Sequence, residues 1–205
     1  MARPALRLTP TATAVIFVEV QNGIVGPDSS IPDLARAAAP RLSTMGRLAK
    51  GARAAGGRVF HLIFVPALET RAANRKPPLM AHTTAAMADW TADHPAVQPV
   101  AEIGVEPEDV VLPRHSGMSP TANTELFPML RNAGFTAVVL AGVSLNVAIP
   151  LVAAQAGDEG FDVIVPRDAV AGTPAEHGES MLRHTIPVLA RVVTTEEVLA
   201  AFADE

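Results

Sequence analysis

The chain has 205 residues, of which 49% are hydrophobic and 18% are charged, and its net charge is −5 at pH 7. This composition excludes a disordered chain and supports one sizeable core, so we expect a single domain over residues 1–205. Basic residues are scattered and no apolar run approaches the roughly 20 residues of a membrane span, which argues against nucleic acid and membrane partners. The absence of cysteine excludes disulfides, thiolate metal sites and thiol catalysis. A cytoplasmic location is the default expectation.

Six short apolar runs, rich in β-branched residues, predict strands that are buried on both faces, as in a parallel sheet. They are Thr13–Val20, Arg58–Val65, Asp109–Leu112, Thr136–Gly142, Phe161–Pro166 and Ala190–Thr195.

Five other stretches predict helices, several of which end at a glycine or begin with a capping residue or proline. They are Pro32–Ala55, Thr121–Asn132, Asn146–Glu159, Thr173–Leu189 and Thr195–Ala203. The alternation of strands and helices predicts an α/β fold: a three-layer α/β/α domain around a doubly wound, mainly parallel six-stranded sheet. Val65–Val105 does not fit this alternation, and a loop of that length usually forms a lid or a wall of a site.

Ligands of doubly wound sheets bind beyond the carboxyl ends of the strands, so the residues that follow each strand are the candidate site. Glu19 interrupts an otherwise apolar strand, where partial desolvation prepares a carboxyl group for proton transfer. An ion pair with Arg114 that merely ties two strand ends together is the alternative role. His115 follows Arg114 and could exchange protons or bind substrate, and a surface or capping role is the alternative.

The segment "VVLAGVSLNVAIPLV", Val138–Val152, reads as a strand that turns sharply into a helix. Such an elbow often carries a catalytic nucleophile, yet here the candidate positions hold Val147, Ala148 and Ile149. Ser116 and Ser119 lie elsewhere and lack the G-x-S-x-G pattern of a serine elbow, so a serine hydrolase is a minor alternative.

The strand "AVIFVEVQN" and the stretch from Val110 to Gly172 resemble the isochorismatase-like (cysteine hydrolase) superfamily. That family opens with "vlviDmQN", and its second half contains "G-V-x-T-N-x-C-V", which corresponds to "GVSLNVAI" here. The resemblance implies the same fold and places the family's Asp, Lys and Cys at Glu19, Arg114 and Ala148. It also implies a cis peptide at Val143–Ser144.

All three catalytic positions depart from the family pattern. Ala148 removes the nucleophile, and Arg114 keeps the charge but cannot donate a proton near neutral pH. The isochorismatases of phenazine biosynthesis, a branch without the cysteine, imply an alternative: a strand-one carboxyl protonates a vinyl ether and water attacks. By this resemblance Glu19 is the acid, and Arg114 with Arg75 clamps a small, anionic substrate.

The resemblance implies that the elbow, although it lacks a nucleophile, keeps backbone N–H groups that can bind a negatively charged oxygen atom. The N–H groups of Ser144 and Ala148 would form an oxyanion hole, and Asn146 would start the helix. No cofactor and no metal is expected, because Asp89 and His94 in "ADWTADHP" have the wrong spacing for the nicotinamidase metal motif. Self-association into a homo-oligomer is expected, as in the family. A non-catalytic member that only binds a small molecule, or serves as a subunit, is the competing hypothesis.

Overall fold

The computed structural model describes residues 5–66 and 74–203. Its centre is a sheet whose strand pairs are all parallel, in the order β3-β2-β1-β4-β5-β7, with β6 beside β4. The strands are β1 Thr13–Val18, β2 Arg58–Phe64, β3 Val110–Arg114, β4 Ala137–Val143, β5 Asp162–Pro166, β6 Val170–Ala171 and β7 Arg191–Val193. The predicted doubly wound α/β fold is confirmed, and the two-residue β6 is the one strand of the described chain that the sequence pattern did not indicate.

Helices cover both faces of this sheet and complete the three layers. They are α1 Asn22–Val25, α2 Pro32–Ala38, α3 Leu42–Ala54, α4 Pro78–Ala86, α5 Leu126–Asn132, α6 Ala148–Asp158, α7 Ala175–His184, α8 Ile186–Leu189 and α9 Thr195–Ala203. Alternate residues of β1 enter two separate apolar cores, Val15 and Phe17 on one face and Ile16 and Val18 on the other. No helix in the described ranges is long and apolar enough to cross a membrane.

Prolines interrupt two of the predicted helices. The stretch Pro32–Ala55 becomes α2, a 3₁₀ turn over Ala39–Arg41 that contains Pro40, and α3. The stretch Thr173–Leu189 divides at Thr185 between α7 and α8. In both places a proline lacks the N–H that would continue the hydrogen-bond ladder.

The segment that follows β2 folds back over the end of β1. The N–H of Val100 donates to the carbonyl of Val20 at 3.1 Å, and the N–H of Asn22 donates to Gln98 at 2.9 Å. The Trp90 ring lies so close to Gly23 that a Cβ there would approach it to 2.3 Å. These contacts make the segment a wall beside the carboxyl end of β1.

A buried charged cluster joins the start of β3 to α3 and β2. The Asp109 carboxylate accepts hydrogen bonds from Arg53, from the N–H of Glu106 and from His61, whose Nε2 lies 3.1 Å from Oδ2. Burial lowers the pKa of His61, and the hydrogen bond to Asp109 offsets this only in part. Burial alone would raise the pKa of Asp109, but its hydrogen bonds, first from Arg53, hold that pKa below 3.8. His61 is thus a buried, hydrogen-bonded core residue of β2.

The lowered pKa of His61 makes the folded protein sensitive to mild acid. Below the ordinary value of 6.5 the unfolded chain takes up the proton first, so the free energy of unfolding should fall as the pH drops from 7.5 towards 5.5. Protonation of Asp109 lowers the free energy of unfolding only below about pH 3.8, so it does not contribute between pH 7.5 and pH 5.5. Urea unfolding at both pH values should show a smaller decrease in His61→Gln than in the wild type. His177→Gln, an exposed position on α7, should keep the wild-type decrease; an equal decrease in all three proteins would contradict the assignment.

Candidate active site

The candidate site lies where the carboxyl ends of β1, β2, β3 and β4 meet. Glu19 directly follows β1, and its N–H still donates to the carbonyl of Leu62 at 2.8 Å while its φ is 54°. This left-handed conformation is uncommon for a residue with a side chain, and here it accompanies the end of the strand. Arg114 is the last residue of β3. Because β2 separates the two strands, any contact between these side chains must cross the end of β2.

Glu19 and Arg114 form an ion pair across the end of β2. Nη2 of Arg114 donates to Oε1 of Glu19, and Nη1 donates to the carbonyl of Gly117. The side chain of Glu19 is 16% exposed and that of Arg114 is 6% exposed. The guanidinium carbon lies 4.4 Å from the centroid of the Phe64 ring, at the end of β2, in a cation–π contact. Within the described chain, Nε of Arg114 is buried and has no hydrogen-bond partner.

Gln21 holds the platform under this ion pair and was not recognised from the sequence. Its side chain is fully buried, and its amide accepts from the N–H of Phe64 at 2.6 Å and donates to the carbonyl of the same residue at 2.9 Å. Its Nε2 also reaches the carbonyl of Ala96 at 3.2 Å. Gln21 therefore bridges β1, β2 and the segment that follows β2, and it fixes the backbone of Phe64 beneath Arg114.

The predicted elbow is present, and the Val143–Ser144 peptide is cis. Gly142 has φ of 108°, and a Cβ there would lie 2.3 Å from the carbonyl oxygen of Val18, so the strand requires glycine at this close approach. The carbonyl of Ser144 accepts from the N–H groups of Val147 and Ile149. Among the described residues, the N–H groups of Ser144 and Ala148 have no backbone hydrogen-bond acceptor.

Asn146 braces the elbow and does not start the helix. Its side-chain amide donates to the carbonyl of Thr173 at 2.6 Å and accepts from the N–H of the same residue at 3.0 Å. The expectation that Asn146 caps the helix is wrong, because α6 begins at Ala148 and its N-cap is Val147. The side chain is committed to the β6–α7 connection, which it ties to the end of β4.

These elements enclose a cavity of about 370 Å³. Its wall is formed by Glu19, Ile24, Ile31, Leu34, Phe64, Leu79, Met80, Thr83, Met87, Arg114, Met118, Ser144, Asn146, Val147, Ala148 and Thr173. The volume suits a small molecule. Five of the seven residues predicted for the site therefore border one cavity: Glu19, Arg114, Ser144, Asn146 and Ala148.

The other two lie outside the cavity wall. His115 is exposed, and its Nδ1 lies 2.9 Å from the carbonyl oxygen of Val65. Arg75 is also exposed and, like His115, is not part of the wall. His115 lies outside the wall although Arg114 borders it, because consecutive residues at a strand end point to opposite faces of the sheet. Glu69 and Arg71, in the same loop as Arg75, fall outside the described residues.

The remaining sequence candidates have local structural contacts. Nδ1 of His94 accepts from the N–H of Ala96, and Nε2 lies 3.7 Å from Asp89. Residues 5–66 and 74–203 contain no group of three His, Asp or Glu side chains arranged to hold a metal ion. Ser119 shares a 2.8 Å hydrogen bond with Thr121. The Asp168 carboxylate accepts hydrogen bonds from the N–H and the hydroxyl of Thr195, at the start of α9.

The fold and the site define an α/β protein with a carboxylate and a cation facing a strand-to-helix elbow. The chain belongs to the isochorismatase family, since a model of the isochorismatase domain matches residues 13–197. It is 30% identical over 198 residues to the uncharacterized isochorismatase family protein YecD of Escherichia coli O157:H7, covering 96% of this chain and 99% of that protein. It is also 30% identical over 172 residues to the ureidoacrylate amidohydrolase RutB of Pantoea ananatis, covering 72% of this chain and 65% of that protein. The crystal structure of a cysteine hydrolase from Pseudomonas syringae pv. phaseolicola 1448A superposes with a TM-score of 0.86 at 22% identity, covering 100% of this chain and 99% of the other.

The ion pair predicts strong coupling between Glu19 and Arg114 in stability measurements. Arg114→Met should destabilise the fold more than Glu19→Gln, because a glutamine oxygen can still accept a hydrogen bond from Arg114, whereas methionine leaves the Glu19 carboxylate without a donor. Combining the two changes should recover part of the loss, with a coupling of about 1–3 kcal/mol in a double-mutant cycle of urea unfolding.

The more exposed pair of Arg131 and Glu159 supplies the matched control. The cycle with Arg131→Met and Glu159→Gln should give a coupling below about 1 kcal/mol. Equal coupling in the two cycles would show that the Glu19–Arg114 pair has no special stability role.

Proposed function

We propose that the chain is a hydrolase that works without a cysteine nucleophile, with Glu19 as the acid/base group and a small carboxylate-bearing molecule as substrate. One observation carries this proposal: the Glu19 carboxylate and the Arg114 guanidinium meet at the wall of a 370 Å³ cavity, beside Ala148 and the start of α6. Only Glu19, of the two charged groups, can transfer a proton near neutral pH, because a guanidinium stays protonated there.

The residues present define the available chemistry. At Ala148 a methyl group, 4% exposed, occupies the place of the family's thiol, so no covalent intermediate can form there. In the proposed reaction water is the attacking group. Hydrolysis of a vinyl ether of the isochorismate type meets these limits: Glu19 donates its proton to the enol-ether carbon, and water adds to the resulting oxocarbenium ion. The proton lost by that water returns to the Glu19 carboxylate, and the hemiketal then breaks its C–O bond to release the alcohol and leave a ketone.

Arg114 and the elbow would position the substrate for this reaction. A guanidinium has five N–H donors, and Arg114 uses two of them in its described bonds, so further donors remain for a substrate carboxylate. The free N–H groups of Ser144 and Ala148 could hold a second oxygen atom at the opposite wall. The membership of hydrolases in the family, such as the ureidoacrylate amidohydrolase of Pantoea ananatis, supports the reaction class.

A non-catalytic member that only binds a small molecule is the second candidate. The observation that favours it is that Glu19 and Arg114 satisfy each other without any ligand. Such a pair is also what a structural tie between two strand ends would look like. The two candidates predict different effects of replacing the Glu19 carboxyl group: a catalytic site loses its rate of hydrolysis, whereas a binding site changes only its affinity for the ligand.

Glu19→Gln should lower turnover by about 10²–10⁴-fold, because the amide cannot transfer the proton. The measurement is hydrolysis of vinyl ethers, esters and amides of small carboxylic acids, with Glu176→Gln, an exposed glutamate of α7, as the matched control. Turnover by the wild type that persists in Glu19→Gln would disprove the assignment. The absence of turnover across such a panel, with binding retained, would favour the non-catalytic candidate.

Thiol alkylation separates this activity from that of a contaminating cysteine hydrolase. Iodoacetamide should leave the rate of this cysteine-free chain unchanged and abolish that of a contaminant.

We also propose that the protein self-associates. Leu151 on α6 and Val188 on α8 are 39% and 81% exposed, and these helices pack against each other. Light scattering should give a mass of at least twice the 21.4 kDa of one chain, and a mass of one chain at micromolar concentration would refute the proposal.

A further inference from the structure

We propose that the Glu19–Arg114 cavity selects a monocarboxylate with a predominantly apolar body and rejects dicarboxylates. The inference rests on the proposed function, because it specifies the substrate class of the same site. The polar groups of the cavity wall are concentrated on one side, around Glu19, Arg114 and Ser144.

Most of the wall is apolar and comes from α1, α2, α4 and the loop after β3. These residues are Ile24, Ile31, Leu34, Leu79, Met80, Met87 and Met118, with Phe64, Val147 and Ala148 beside the ion pair. Of the polar wall residues, Thr83 donates its hydroxyl to the carbonyl of Leu79 at 3.0 Å. The Asn146 amide is occupied by Thr173. Polar atoms that can still meet a ligand are therefore concentrated around Glu19, Arg114 and Ser144.

Three methionines make the apolar wall adaptable. Met80 and Met87 are 4% and 0% exposed, and Met118 packs against the same core from the loop after β3. An unbranched thioether side chain fills irregular gaps and adjusts to differently shaped apolar groups. The wall therefore favours ligands with large apolar groups and tolerates apolar groups of different shapes.

The charges of the wall leave room for one anionic group. Among the wall residues that the structure describes, Glu19 and Arg114 carry the charges, and they neutralise each other. The unused N–H groups on Nη1 and Nη2 of Arg114 can donate to one carboxylate. A second carboxylate would lie against leucine, isoleucine and methionine, where desolvation without a partner is costly.

Isothermal titration calorimetry with straight-chain acids tests the inference. From acetate to octanoate, affinity should rise by about fourfold for each added methylene until the cavity is filled. Octanedioate should bind at least about tenfold more weakly than octanoate, because its second carboxylate meets the apolar wall. Equal or tighter binding of octanedioate, no rise with chain length, or no binding of any acid would each overturn the inference.

A single substitution should reverse the selectivity. Leu79 is 43% exposed at the rim, so Leu79→Lys can add a cation to the apolar wall without disturbing the core. We expect this variant to bind octanedioate at least about tenfold more tightly than the wild type does. Val105→Lys, at a position that is 49% exposed and outside the cavity wall, is the matched control for added charge and should bind both acids as the wild type does. Unchanged preference in Leu79→Lys, or the same gain in Val105→Lys, would overturn the inference.

The results also separate the inference from the proposed function. Chain-length-dependent binding without any hydrolysis would disprove the proposed function and leave the inference standing. Hydrolysis of a dianionic vinyl ether that is lost in Glu19→Gln would support the proposed function and overturn the inference.

Discussion

The ion pair between Glu19 and Arg114 is the interaction around which this end of the protein is organised. Each residue lies at the end of a parallel strand, and the strand between them contributes the Phe64 ring on which the guanidinium rests. Neither charge could remain at so buried a position alone, because the desolvation of an unpaired ion is too costly. The pair therefore requires β1, β2 and β3 in their observed order, and the Gln21 amide maintains that order locally by holding Phe64 to β1.

The second half of the site comes from the other side of β1, and its construction is independent of the missing thiol. Gly142 permits the close approach of β4 to β1, and Asn146 fixes the turn to Thr173. These contacts are made by backbone atoms and by an amide, and none of them involves the side chain of Ala148. An elbow can therefore keep its shape, and its free N–H groups, after the nucleophile is replaced by a methyl group. Under the proposed function, what the substitution changes is the reaction: backbone groups that would hold an oxyanion remain, and the group that would attack is absent.

The sequence predicted the elements whose signal is local. Runs of β-branched residues placed the six longer strands, and the lone Glu19 and the terminal Arg114 marked the site because charge at the end of a buried strand is unusual. Features that depend on tertiary contacts were missed. The Phe64 platform and the Gln21 bridge join residues 43 positions apart. Asn146 had the residue type of a helix cap, but its partner 27 residues later decides its role. The methionine wall comes in part from α4, in a segment whose composition indicated only a long loop.

The contrast between the two buried charge clusters clarifies what the site can do. At the start of β3, Asp109 receives hydrogen bonds from Arg53, His61 and the backbone of Glu106, so three donors stabilise its carboxylate. At the other end of the same strand, Arg114 binds Glu19 through one oxygen and leaves Nε without a partner. Three donors therefore hold the Asp109 carboxylate, whereas the Arg114 guanidinium keeps unused N–H groups beside a cavity. Since β3 connects the two clusters through five residues, it anchors at one end the charge that it places beside the cavity at the other.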